Sequence, residues 1–225
     1  GPVEKSANSQ LRECLKQSPV DAAWCLLGAY LSTDRGGLVV LRITEVEAYA
    51  GEQDPGSHAY RGPNARNQVM FGPPGHLYVY RHLGLHTCLN VTCDEDGVAS
   101  ALLVRSGEIV AGADLARSRR EATGVVRQPR DLARGPGRLT VALGVTMDDA
   151  GVDLLAPDAP VRLESGAPIP AHRVQTGPRV GVSGPGGDGE AFPWRFYLAD
   201  DHFVSDYTPG SDWRFSSRTN SGKDR

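Results

Sequence analysis

The stretch that most constrains this chain is Leu38–Tyr49, LVVLRITEVEAY, rich in β-branched and apolar side chains and free of glycine and proline. Such a run reads as a long strand. Strict alternation puts Val39, Leu41, Ile43, Glu45, Glu47 and Tyr49 on one face, so two carboxylates continue an aliphatic stripe. An unpartnered buried carboxylate is costly. The face therefore either surfaces into solvent at the strand end or holds an acid whose ionisation the fold perturbs. Asp34-Arg35-Gly36-Gly37 is turn-forming and predicts a hairpin of 29–33 with 38–49. After Tyr49 the chain breaks into a loop ending at His58, where a carboxylate, an aromatic ring and an imidazole can meet.

Around this strand, residues 11–17 read as a short helix. Ser18-Pro19-Val20-Asp21 then opens another, closed by Gly28, with Ala23, Trp24 and Leu27 expected inside. Residues 76–82 and 85–91 alternate on either side of Leu83-Gly84, which predicts a hairpin with Leu83 near its tip and Tyr78, Tyr80 and His82 on one face. These three could equally serve cross-strand packing. Residues 99–104 read as a buried strand ending at Arg105, and 109–120 as a helix. The proline-rich stretch 156–178 reads as wrapping strands, 179–182 as a buried strand and 194–198 as a last strand. Gly184-Pro185-Gly186-Gly187-Asp188-Gly189 matches GxGxxG in letters only, because no helix follows and proline interrupts it. It reads as a mobile surface loop.

Length and charge narrow the function. The 225 residues can bury one full core, and the longest nearly apolar run, 22–31, is about half of a membrane span. Nothing resembles a secretion signal, so the four cysteines, lacking CxxC spacing, are expected as reduced thiols in a soluble intracellular protein. The net charge of −3 argues against a strongly basic nucleic-acid binder, yet residues 101–140 hold eight arginines against four acids. The positive charge is local. Ser-His-Asp, P-loop and HExxH patterns are absent from the sequence, and His58 with Glu45 and Glu47 is a weak metal pattern, so neither metal nor cofactor is expected. What remains is an acid, an arginine, stacking aromatics, an apolar hairpin tip and scattered arginines. Those parts suit an enzyme that draws a base from a duplex and hydrolyses its bond to the sugar.

The residues also carry a resemblance. Glu45-Val46-Glu47-Ala48-Tyr49, His58, Arg66-Asn67, Met70-Phe71, Pro74 to Tyr80, Cys88-Leu89-Asn90, Leu102 to Arg105, Leu132 to Leu139, Arg179 to Val182 and Pro193 to Tyr197 together resemble the alkyladenine (methylpurine) DNA glycosylase family over about residues 18–207. The resemblance implies an α+β fold: a single mixed domain with a curved, mainly antiparallel β-sheet, flanking helices and a protruding β-hairpin. It implies a monofunctional glycosylase that takes alkylated or deaminated purines from double-stranded DNA. Glu47 is then the general base, with Arg105 and a main-chain carbonyl near Val180 or Val182 holding the water. Tyr49, His58, Tyr80 and Asn90 line the base pocket, with Asn90 excluding the guanine amino group. Leu83 takes the intercalating position, which is often tyrosine in the family, and Arg66, Arg134 and Arg138 are candidate phosphate contacts.

On this reading residues 1–10 are a tag remnant and flexible N-terminus, 11–207 the glycosylase domain and 208–225 a disordered tail. The expected protein is a monomer without membrane partners, in the cytoplasm and nucleoid if bacterial or the nucleus if eukaryotic. Two other functions stay open. One is a non-catalytic DNA-damage-binding module of the same fold. The other is a nucleoside or glycoside hydrolase pairing Glu47 with a second acid such as Glu45.

Overall fold

A computed structural model describes residues 7–60, 62, 64, 67–82, 84–95 and 97–210. The sequence expectations at Arg66 and Leu83 therefore lie outside the described residues. Among the described residues four helices flank an open sheet of eight strands, a single mixed α+β domain in which every described strand pairing is antiparallel. The helices are α1 (Ala7–Leu15), α2 (Pro19–Leu26), α3 (Ala113–Glu121) and α4 (Pro136–Leu143). The strands are β1 (Tyr30–Asp34), β2 (Leu38–Tyr49), β3 (Leu77–His82), β4 (His86–Thr92), β5 (Ala101–Ala111), β6 (Val161–Glu164), β7 (Val174–Gly177) and β8 (Arg195–Leu198). The sheet runs β3-β4-β5-β2-β1-β6, with β8 joining β2 and β7 joining β8.

Strand β2 is the hub, and its alternation is not continuous. Ile43 pairs with Gly107, Glu45 with Ser106 and Val46 with Val104, so an extra residue sits first in β2 and then in β5. A bulge shifts side-chain phase by one position. Val39, Leu41 and Ile43 lie in the main core, and beyond the bulges Val46 and Ala48 take over that face. The single stripe expected from Val39 to Tyr49 is thus corrected: Glu45, Glu47 and Tyr49 are on the face opposite the aliphatics. Strand β5 changes phase with it, burying Leu102 and Val104 while Leu103 and Arg105 join the acids. Helices α2 and α4 cover the aliphatic face through Ala22, Ala23, Leu26, Leu139, Ala142 and Leu143.

Several local expectations change. Trp24 is 41 % exposed, its ring centroid 6.4 Å from that of Phe196 in an edge-on contact, because Ala22, Ala23 and Leu26 occupy the inward arc of the short α2. The strand expected to end at Arg105 continues to Ala111, and the helix begins only at Ala113. Gly112 makes that break at φ +75°, pressed against Leu38 so closely that a Cβ there would overlap the Leu38 carbonyl oxygen. Residues 179–182 form a turn rather than a strand, and in the glycine-rich loop after it Gly186 is buried. The expected reduced state fails for one pair: Cys14 and Cys25 are disulfide-bonded, with Cα atoms 6.3 Å apart. The packing of α1 on α2 brings together two cysteines that spacing alone did not connect. Cys88 and Cys93 are free and buried.

Candidate active site

The β2–β5 bulges deliver two acids to the same side of the sheet, and their surroundings separate them. Glu45 is wholly buried and fully engaged: Arg195 Nη1 donates to its Oε2 at 3.1 Å and the Ser205 N–H to its Oε1 at 2.9 Å. Glu47, equally buried, accepts from the Tyr49 hydroxyl at 2.9 Å and from the Val180 N–H at 2.6 Å. Its nearest cation, Arg105, stands farther off at 3.9 Å, and Arg105 lies equally far from Glu45. Glu47 and Arg105 line a cavity of about 530 Å³, while Glu45 does not. That volume is in the range of small-molecule sites. Burial lifts the Glu47 carboxyl above the usual glutamate value, with Glu45 adding to the rise, while Arg105, the Val180 N–H and the Tyr49 hydroxyl oppose it.

The cavity walls come from three further segments. The β3–β4 hairpin contributes paired rungs, Tyr78 opposite Asn90 and Tyr80 opposite Cys88. His58 completes an aromatic corner: its ring centroid is 4.0 Å from that of Tyr80, and its Nδ1 is 3.3 Å from the Tyr78 hydroxyl. Burial, then the neighbouring Cys88, push the Tyr80 hydroxyl pKa upward, so this hydroxyl keeps its proton at neutral pH. Asn90 is 3 % exposed and donates through Nδ2 to the Tyr78 carbonyl at 3.4 Å, a contact that fixes its amide. Arg134 and Arg138 line the mouth, Arg134 already paired with Asp131 at 3.0 Å.

The structure thus brings together Glu47, Tyr49, His58, Tyr80, Asn90, Arg105, Arg134, Arg138, Val180 and Val182 around one cavity. At Val180 the direct contact to Glu47 is made by the N–H, not by a carbonyl. Sequence reasoning missed what holds that turn in place. Arg179 is fully buried and forks onto Asp54 at 2.6 and 2.8 Å, while also donating to the carbonyls of Ala48 and Gly186. Its guanidinium lies 4.6 Å from the Tyr49 ring centroid. Gly56 and Gly186 make room for it, since a Cβ on Gly56 would overlap Arg179 Nη2. An arginine beside glycines in a loop-rich segment gave no periodic signal. The hint available was only Asp54 and Arg179 as charges flanking pocket segments.

Comparison with known proteins identifies the family. The family description "Methylpurine-DNA glycosylase (MPG)" matches residues 13–202. A protein of Streptomyces avermitilis, provisionally named a 3-methyladenine DNA glycosylase, is 50 % identical over 198 residues, covering 87 % of this chain and 90 % of its own. Similarly named proteins of Leifsonia xyli subsp. xyli and Mycobacterium tuberculosis are 52 % and 48 % identical, covering 87 % and 88 % of this chain and 91 % and 94 % of their own. With the match spanning the β2 acids, the hairpin and the Arg179 turn alike, this chain belongs to the methylpurine-DNA glycosylase family.

Proposed function

We propose that the protein is a monofunctional DNA glycosylase that flips alkylated or deaminated purines out of duplex DNA and hydrolyses their N-glycosidic bond. The observation that carries this reading is Glu47: a buried carboxylate at an aromatic cavity, held by Tyr49 and Val180 and faced by Arg105 across a gap. The purine stacks among Tyr49, His58 and Tyr80, and Asn90 crowds any purine bearing a 2-amino group. As the bond between C1′ and the base nitrogen lengthens, the base takes the electron pair and the sugar becomes oxocarbenium-like. Glu47 as an anion stabilises that cation and accepts the proton of the water whose oxygen bonds to C1′. A methylated purine, already cationic, leaves readily. A carboxyl lifted above the ordinary range is a stronger base than an exposed glutamate, which suits the role.

None of the described residues lining the cavity is a lysine, so base release proceeds without a Schiff base and leaves the strand intact. Leu83, between strands β3 and β4, takes the wedge position in this reading, with Arg66, Arg134 and Arg138 on the phosphates. The two-acid hydrolase is disfavoured because Glu45 is consumed by Arg195 and Ser205 and stands outside the cavity. The test is incubation with a duplex holding hypoxanthine or 3-methyladenine. Abasic sites without strand breaks are expected. Tight binding with no base release would instead establish the non-catalytic damage binder.

A further inference from the structure

The pocket face of the β3–β4 hairpin continues one rung beyond the aromatic wall. Tyr78 pairs with Asn90, Tyr80 with Cys88, and His82 with His86, so all three rungs face the cavity. Exposure rises along them: Tyr78 and Asn90 are buried, while His82 and His86 are exposed at the mouth. Rungs two residues apart are about 7 Å from each other. The histidine rung therefore stands roughly 7–13 Å outward of the rungs that would hold a base, on the path from a bound base through its sugar to its phosphate. His86 is also packed on the start of α4, for a Cβ on Gly137 would stand 3.0 Å from its Nδ1. That segment carries Arg134 and Arg138 to the same mouth.

We propose that His82 and His86 form a paired contact to a phosphate of the flipped nucleotide, so that duplex affinity depends on imidazole protonation. This rests on the glycosylase reading above. Two imidazoles directly opposite on antiparallel strands have Cβ atoms about 5 Å apart, close enough for both to donate to one phosphodiester. The charge at the mouth favours an anion over a metal cation: Arg138 lines the same cavity, as does Arg134, which is paired with Asp131 and lies near Asp206, while Glu47, the acid that lines the cavity, lies at its buried end. The other titratable groups facing the pair are Tyr80 and Cys88 on the same hairpin, both raised by burial and neutral, with Arg105 and His58 deeper in the pocket. Histidine is the side chain whose charge ordinarily changes between pH 5 and 8, and a bond to an ionised donor is about twice as strong as a neutral one. Phosphate contact is therefore expected to strengthen as pH falls.

The experiment compares wild type with His82→Gln/His86→Gln, each carrying Glu47→Gln so that the lesion duplex is not consumed. Dissociation constants are measured against salt at pH 6 and pH 8. The glutamines keep size and hydrogen bonding but not the cation, and His82→Gln alone serves if the pair of changes impairs folding. One phosphate neutralised adds about 0.9 to the slope of log affinity against log salt. The expected result is a slope lower by about that amount in the histidine variant at pH 6, affinity about tenfold weaker there, and convergence with wild type at pH 8. Equal slopes at both pH values, or a loss of affinity that is the same at pH 6 and pH 8, overturn the phosphate contact. Absence of abasic sites with wild type overturns the glycosylase reading instead, and is scored separately.

Discussion

Replacing Glu47 by glutamine separates chemistry from stability, because in the proposed role of general base the buried wild-type carboxylate would cost stability where it serves catalysis. In the variant the amide oxygen keeps the fixed Val180 N–H donor, and the amide NH2 turns to the Tyr49 hydroxyl, which can reverse from donor to acceptor. Arg105 is not left alone, since Glu45 stands as near to it as Glu47 does. The hydrogen bonds are conserved and the buried charge is removed. A carboxyl whose folded pKa is raised by burial favours the protonated form, so wild type loses stability as pH rises from the ordinary glutamate value through the higher folded one. Glu47→Gln should therefore melt higher than wild type at pH 7, by about 2–4 °C for each kcal/mol of desolvation relieved. The difference should shrink towards zero as pH is lowered through that window. Loss of the general base should cut single-turnover base release by about 10²–10⁴, with lesion-duplex binding retained. The assays are thermal melting across pH 4–7 and single-turnover excision. A variant that melts lower than wild type, or that keeps more than a few per cent of the rate, refutes the assignment of Glu47 as the buried base.

Three further outcomes follow from the same geometry. Arg105→Ala removes the largest influence lowering the Glu47 pKa, so excision should slow and the acid limb of its pH–rate profile should move to higher pH; an unmoved limb would place Arg105 outside the electrostatics of Glu47. Asn90→Ser shortens a side chain anchored to the Tyr78 carbonyl, and release of 7-methylguanine relative to hypoxanthine should rise in a competition assay. Asp54→Asn leaves the Arg179 guanidinium buried without its counter-charge, which should cost about 3–5 kcal/mol and about 6–20 °C in melting temperature; excision should fall further than melting alone predicts, because the turn that places Val180 on Glu47 loosens.

Local alternation and turn chemistry in the sequence are enough to locate β2, the β3–β4 hairpin and the rungs Tyr78, Tyr80 and His82, because strand periodicity is a property of neighbouring residues. They also place Glu47, Tyr49 and His58 near one another, since only a short loop separates them. Which of two acids faces the cavity is decided elsewhere. A bulge in β2 matched by one in β5 turns both acids away from the aliphatic core, and neither strand announces it, because a bulge depends on how two strands sixty residues apart align. Glu45 is then claimed by Arg195 and Ser205, 150 and 160 residues along the chain, and Glu47 is left to the cavity. The Arg179–Asp54 pair, 125 residues apart, and the Cys14–Cys25 bond are of the same kind. Side-chain types and spacing specify what each segment can do; burial, counter-charge and the phase of the sheet arise only when distant segments close on one another, and these determine which carboxylate is lifted from the ordinary range and which is held as structure.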